Sequence, residues 1–180
     1  MKKLRAFTAA LSRLLKKIRK INDSGVFTKL WTIHKYADHA AYLAGTPYAV
    51  STFKQNVLLN EGIAEMWDLI IGAGGTAFSN ANAYIGIGDS DTAAAAAQTG
   101  LQAVTNKYYA EMASTYPSRS SQTVTWRGVV DGDHGNHAWK EFTVANGNSD
   151  SSKNMNRKVS DQGTKTSGQV WTIDLAITLS

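Results

Sequence analysis

The chain of 180 residues contains no cysteine and only two prolines. Without cysteine it has no disulfide framework, no thiolate zinc site and no cysteine nucleophile. No apolar run approaches the roughly 18 residues that a membrane-spanning helix requires. The basic N-terminus lacks the apolar core of a secretion signal, so none is expected. The chain is long enough to bury a substantial core, and its 15 glycines with abundant Ser, Thr and Asn favour short strands joined by turns.

Acidic residues are absent from the first twenty positions, which hold eight of the 19 lysines and arginines. The remaining 160 residues carry 11 basic and 14 acidic side chains, a net charge of −3. The basic character of the protein is therefore a property of its N-terminal segment. Because the rest of the chain shows no basic stripe, nucleic acid is not the predicted partner.

Residues 1–22 are predicted to form a basic amphipathic helix. Its apolar residues follow a heptad repeat, which is typical of a coiled-coil seam; they are Leu4, Phe7, Leu11, Leu14, Ile18 and Ile21. The turn residues 22–25 end the pattern. We interpret the helix as a coiled-coil or docking element of a homo-oligomer, with a trimer favoured. A membrane-surface helix and a nucleic-acid contact through the basic face are the alternatives.

Residues 23–55 are predicted to form an extended arm with a brief helix from Asp38 to Leu43. Aromatic side chains recur along the arm, and we expect the following ones to contact this chain's own body or a neighbouring subunit: Phe27, Trp31, Tyr36 and Tyr48. The alternative is that this segment is simply an irregular N-terminal portion of the domain.

Residues 56–180 are predicted to form one helix followed by a β domain. Residues 56–71 have helical spacing, with Asn60 as a candidate cap and Gly72 at the end. Residues 169–179 alternate apolar and polar side chains, the clearest strand signal in the chain. The predicted fold is mainly β: an antiparallel β-sandwich of jelly-roll or Greek-key type, with the N-terminal amphipathic helix, the arm and one further helix.

A Gly-Asp-Ser sequence at residues 88–90 raises the question of a serine esterase. Asp131 and His134 stand in an Asp-x-x-His spacing, so Ser90 could be a nucleophile with His134 as its base. That esterase class uses a parallel α/β fold, whereas this chain has almost no helical pattern after residue 100. We predict a strand end and turn instead, no catalytic residue, and keep the esterase as a remote alternative.

A cluster of carboxylates and imidazoles occupies residues 131–137. Such side chains can bind a divalent metal, and the ligands would be Asp131, Asp133, His134 and His137. Glycines at 132 and 135 favour a hairpin tip, which collects the same residue types for conformational reasons. We therefore predict no metal and no cofactor. Lys140-Glu141 and Asn156-Arg157-Lys158 are interpreted as solvated charges or inter-strand pairs.

Several short motifs resemble a family of small structural proteins of tailed bacteriophages. They are the run Asn56 to Gly62, Ile85-Gly86-Ile87-Gly88-Asp89-Ser90, Trp139-Lys140-Glu141, Asn156-Arg157, and the closing Trp171 to Ser180. The resemblance covers residues 56–180, and residues 30–50 look similar to sequences in the same setting.

The resemblance implies a non-enzymatic virion protein, assembled in the bacterial cytoplasm. The expected role is capsid decoration or cementing, with the major capsid protein as partner. A neck, tail or fibre component with an adhesion or receptor-binding role is the alternative. The resemblance supplies no catalytic or binding residues.

Overall fold

The computed structural model describes residues 26–180. The helix predicted for residues 1–22 lies outside this range, together with its six seam residues. Within residues 26–180 there are two helices, α1 (His39–Leu43) and α2 (Asn60–Ile71). The ten strands of this part are β1 (Phe27–Tyr36), β2 (Ala49–Lys54), β3 (Val57–Leu58), β4 (Tyr84–Gly88), β5 (Lys107–Glu111), β6 (Ser118–Ser120), β7 (Thr123–Val130), β8 (Glu141–Ala145), β9 (Asn156–Val159) and β10 (Val170–Leu179).

The strands form two five-stranded sheets. The first has the order β2-β1-β10-β7-β6 and the second the order β3-β9-β8-β4-β5. Every pairing is antiparallel. The structure confirms the mainly β class, with two antiparallel sheets and two helices in the described part.

Side chains of both sheets meet in one hydrophobic core. Trp31 of the first sheet contacts Phe142 of the second, with 5.8 Å between the ring centroids. Trp171 meets Trp139 edge to face at 4.9 Å, a favourable geometry for aromatic pairs. All four rings are buried. The sheets therefore lie in a sandwich-like arrangement.

The long strand β10 matches its predicted alternation. Trp171, Ile173, Leu175 and Ile177 are buried, whereas Leu179 at the strand end is exposed. Because β10 lies between β1 and β7, its apolar face is fixed by both neighbours. A one-residue slip would move the whole set to the opposite face.

Helix α2 begins at Asn60, the residue expected to cap it, and the preceding residues 57–58 form β3 instead of helix. Leu59 occupies the cap position without a side-chain hydrogen bond, and Asn60 is the first helical residue. The helix ends as predicted at Gly72, which has a left-handed φ of 71°, a conformation that glycine adopts without steric cost. Among residues 26–180, neither helix is long and apolar enough to cross a membrane.

The segment predicted as an extended aromatic arm, residues 23–55, is described from residue 26 onward; that part belongs to the domain, as the alternative held, but it is regular. Phe27–Tyr36 is an inner strand of the first sheet, paired with β10 on one side and with β2 on the other. The extended character was recognised, but the segment belongs to the domain because its alternating apolar residues fill the core. The short helix after Asp38 is confirmed, with the Asp38 carboxylate accepting the Ala41 N–H at 2.8 Å.

Candidate functional site

The most polar part of the interior is an ion pair between β8 and β9. The Glu141 carboxylate accepts from Arg157 Nε at 2.7 Å, and neither side chain is exposed. The same carboxylate accepts the N–H groups of Gln102 at 2.9 Å and Ala103 at 2.7 Å. Arg157 Nη1 also donates to the Thr92 carbonyl at 2.8 Å. The pair thus holds both ends of the long β4–β5 loop against the second sheet.

Glycines of the Ile85-to-Ser90 motif make room for this centre. A Cβ on Gly88 would overlap the Glu141 carboxylate, and a Cβ on Gly86 would overlap Thr143 and Tyr109. Both glycines lie in β4, between β5 and β8. Packing therefore explains the two glycines of the motif, since only glycine permits this close approach.

Further polar groups surround the ion pair. The Thr143 hydroxyl lies 2.6 Å from the Asn156 carbonyl oxygen and 3.0 Å from Asn154 Oδ1. Asn156 Oδ1 accepts the Val144 N–H at 3.0 Å. These side chains are all buried, and buried polar groups that are hydrogen-bonded favour a single arrangement of the core. The side chains of its two charged residues have no exposed surface, and their hydrogen bonds connect β8, β9 and the β4–β5 loop.

Of the two interpretations given for Glu141 and Arg157, solvated charges or inter-strand pairs, the second is correct. They are an inter-strand pair, but a fully buried one. Lys165 is a second charged residue that the sequence did not single out, and its side chain is also completely buried. Nothing in the local sequence indicates that these residues are buried, because their partners come from other parts of the chain.

The loop after β7 is organised around the Lys165 ammonium group. Lys165 Nζ donates to the carbonyl oxygen of His134 at 2.9 Å and to Asn136 Oδ1 at 2.8 Å, and it also bonds the Asp131 carbonyl. Burial lowers the pKa of Lys165, and the negative charges of Asp131 and Asp133 partly offset that effect. A cation of this protein therefore already occupies the oxygen-rich centre of the loop.

The four candidate metal ligands do not form one set. Asp131 Oδ1 lies 2.7 Å from His134 Nδ1, whereas His137 Nδ1 lies 2.9 Å from the Ala138 carbonyl oxygen. Burial by itself raises the pKa of Asp131, but hydrogen bonds from the His134 ring and the Asp133 N–H outweigh it and lower the pKa. No group of three or more metal-ligating side chains within residues 26–180 is arranged to hold an ion.

The esterase residues are also separated in their contacts. The Ser90 hydroxyl accepts the Thr92 N–H at 3.2 Å, which closes a turn after β4. The His134 ring instead pairs with Asp131 and stacks on Tyr108 at 5.1 Å. In the described part of the chain no hydrogen bond joins Ser90 to His134. The Gly-Asp-Ser sequence serves as a strand end there.

The predicted contact residues of the arm fall into two groups. Trp31 and Tyr36 are buried against this chain's own body, which is one of the two contacts expected for them, so neither is exposed to a partner. Phe27 is 41% exposed and Tyr48 is 54% exposed, so both remain candidates. The seam residues between Leu4 and Ile21 lie outside the described residues.

Beyond the sequence predictions, several large apolar side chains are exposed in the α1–β2 segment and on α2, and Val104 is exposed in the β4–β5 loop. Leu43 and Val50 lie near Tyr48 in the α1–β2 segment, and Val50 is 53% exposed. On α2, Trp67, Ile70 and Ile71 are 60–71% exposed. Surfaces of this kind mark binding sites when they form a patch.

Helix α2 is attached to the domain by polar contacts. Glu61 accepts the Asn154 N–H at 2.9 Å, and Glu65 accepts from Asn146 Nδ2 at 3.0 Å. A Cβ on Gly62 would overlap the backbone of Met155, so the helix lies very close to the sheet. Because Gly62 and two glutamates occupy the inner face of α2, the apolar residues of the helix lie on its outer face.

Comparisons with known proteins give no relative. No protein-family model matches the chain. No curated protein and no solved structure is significantly similar to it.

Proposed function

We propose that the protein is a non-enzymatic structural component of a tailed-bacteriophage particle, most specifically a capsid decoration or cement protein. The proposal starts from the resemblance of its short motifs to such proteins. Under this proposal, the two sheets are the layers of a jelly-roll or Greek-key-like sandwich. The protein acts in the virion through subunit–subunit contacts, as a homo-oligomer with a trimer favoured, and its partner is the major capsid protein.

The observation that carries the proposal is an open sheet edge with exposed apolar side chains. Among residues 26–180, strand β2 pairs with β1 on one side and has no strand partner on the other. Val50 of this strand and Tyr48 beside it are more than half exposed. An uncovered edge strand offers unpaired backbone groups to another chain, and strand addition there would combine backbone hydrogen bonds with side-chain contacts.

The buried centre supports the same role. Glu141 contacts both Gly88 and Arg157 in the interior, and the three residues belong to three of the family-like motifs. Their arrangement fixes the β4–β5 loop and the second sheet. A rigid domain with an edge strand available for pairing suits a protein that holds subunits together.

Particle composition tests the proposal. Phage particles purified from a host that carries the gene should contain the protein at a fixed copy number. Particles made with Val50→Lys should contain much less, whereas Val104→Lys should be incorporated normally, because Val104 is 89% exposed and lies in a different region. Immunogold labelling would separate a shell position from a neck, tail or fibre position. Absence of the wild-type protein from the particles would overturn the proposal.

A further inference from the structure

An apolar groove of about 360 Å³ lies between β1, β7, β10 and α2. Its walls include Phe27, Met66, Val124, Trp126, Ile177 and Leu179. A neighbouring depression of about 440 Å³ shares Val124 and Leu179 with it, so the two form one continuous surface. The structure of residues 26–180 leaves this surface uncovered.

The outer face of α2 extends the groove. Ile70 lies one helical turn after Met66, which lines the groove, so the two side chains share a face. Ile70 and its neighbour Ile71 are each 71% exposed. The combined surface is long and apolar, as an amphipathic helix requires of the surface on which it docks.

The N-terminal segment enters the domain at this groove. The Val26 N–H donates to the Ser180 carbonyl at 2.6 Å, and the next pair in the ladder, Phe27 and Leu179, lines the groove. Only residues 22–25 separate Ile21 from Val26. This connection spans at most about 18 Å when fully extended, and its Asn-Asp-Ser-Gly sequence favours a reversal of the chain.

Charge contributes less to the pairing than apolar contact. Helix α2 contains Glu61, Glu65 and Asp68 and no basic residue, but Glu61 and Glu65 already accept hydrogen bonds from the domain. Asp68 is exposed and could face one of the eight basic residues of positions 1–20, whereas Arg119 lines the neighbouring depression. The pairing therefore depends on the apolar groove and on the short connection.

We propose that the apolar seam of residues 4–21 docks in the groove, and on the outer face of α2, of the same chain. The short connection gives the segment an effective concentration in the millimolar range at its own groove, so docking within one chain outcompetes docking on a second copy. The seam is then buried against the domain rather than in a coiled coil. This inference does not depend on whether the protein is a virion component.

The absence of cysteine makes the proposal directly testable in the full-length protein. A thiol at a seam position, Ile18→Cys, should be alkylated at least about tenfold more slowly than one on the polar face, Lys17→Cys; tenfold protection corresponds to about 1.4 kcal/mol of docking free energy. Adding Leu179→Lys or, separately, Ile70→Lys should remove the protection. Adding Val104→Lys should leave it unchanged.

A second measurement identifies whether the groove is filled by the same chain or by a second copy. The variant Ile21→Cys/Leu179→Cys, treated with a short bis-maleimide, should give an internally linked single chain. Equal alkylation rates at positions 17 and 18 would overturn the proposal, as would protection that survives both groove substitutions. Covalent dimers or larger species in place of internal links would also overturn it, because they would show that a second copy fills the groove.

Discussion

Glu141 and Arg157 face each other across β8 and β9, with 2.7 Å between the carboxylate Oε2 and the guanidinium Nε and no exposed surface on either side chain. Two backbone N–H groups of the β4–β5 loop complete the coordination of the carboxylate. Burying two charges is costly unless hydrogen bonds satisfy them; here the carboxylate is fully bonded, whereas Arg157 Nη2 has no partner among the described residues. Removing one partner leaves the other charge uncompensated.

Glu141→Gln is therefore expected to lower the free energy of unfolding by roughly 3–5 kcal/mol. Asp150→Asn is the matched control, because Asp150 pairs with Lys107 on the surface and its side chain is 60% exposed; surface pairs contribute at most about 1 kcal/mol. Denaturant unfolding at neutral pH measures both. A loss at Glu141 no larger than the loss at Asp150 would contradict the structural importance of the buried pair.

Gly88→Ala is expected to destabilise the protein through steric overlap. Its new methyl group would meet the Glu141 carboxylate and the Ala103 side chain, and overpacking of this kind costs roughly 1–3 kcal/mol. The displaced carboxylate would also release the N–H groups of the β4–β5 loop, so hydrogen exchange in residues 89–106 should accelerate. Gly163→Ala is the control, since it meets no neighbour and bears only the strain of its φ of 84°. Unchanged exchange in Gly88→Ala would refute the link between this glycine and the loop.

Lys165→Met is expected to open the loop after β7. The substitution keeps the length of the side chain but leaves the Asp131 and His134 carbonyls without their donor, and unsatisfied buried groups cost roughly 1–3 kcal/mol each. Hydrogen exchange should increase in residues 131–137, and the thermal midpoint should fall. Lys54→Met, on the exposed β2 strand, should change neither; an equal effect of the two variants would argue against the ammonium as the centre of the loop.

Alkaline pH is expected to weaken the fold partly through Tyr109. Burial, and then the hydrogen bond of its hydroxyl to Asp150, raise the pKa of Tyr109 above the usual 10.0. The unfolded chain therefore loses this proton first as the pH rises, so the stabilisation is complete below pH 10 and declines above it. Tyr109→Phe should show a smaller loss of stability between about pH 10 and 12 than the wild type. Identical pH profiles would contradict the raised pKa.

The features that could be predicted from sequence are those set by local patterns. Strand β10 was evident because five apolar residues alternate, and α2 ends at Gly72 because the run of glycines there stops a helix. The mainly β class follows from the same periodicity. These signals depend only on residues close to one another in the chain.

The burial of charges could not be predicted in this way. Glu141 follows Lys140, and Arg157 stands between Asn156 and Lys158, so neither is marked as buried; only the pairing of β8 with β9 brings them together. The Lys165 side chain is buried by the loop after β7, which lies about thirty residues earlier in the chain. The position of β1 as an inner strand could not be predicted for the same reason, since its partners include the last strand of the chain.

The open edge of β2 is central to the proposed role, and light scattering of the full-length protein tests it most directly. We expect the wild type to be an oligomer, with a trimer favoured, and Val50→Lys to be a monomer, because a buried lysine at the contact cannot be solvated. Val104→Lys should keep the wild-type mass. A monomeric wild type at high concentration, or a Val50→Lys variant with the same mass as the wild type, would contradict assembly through this edge.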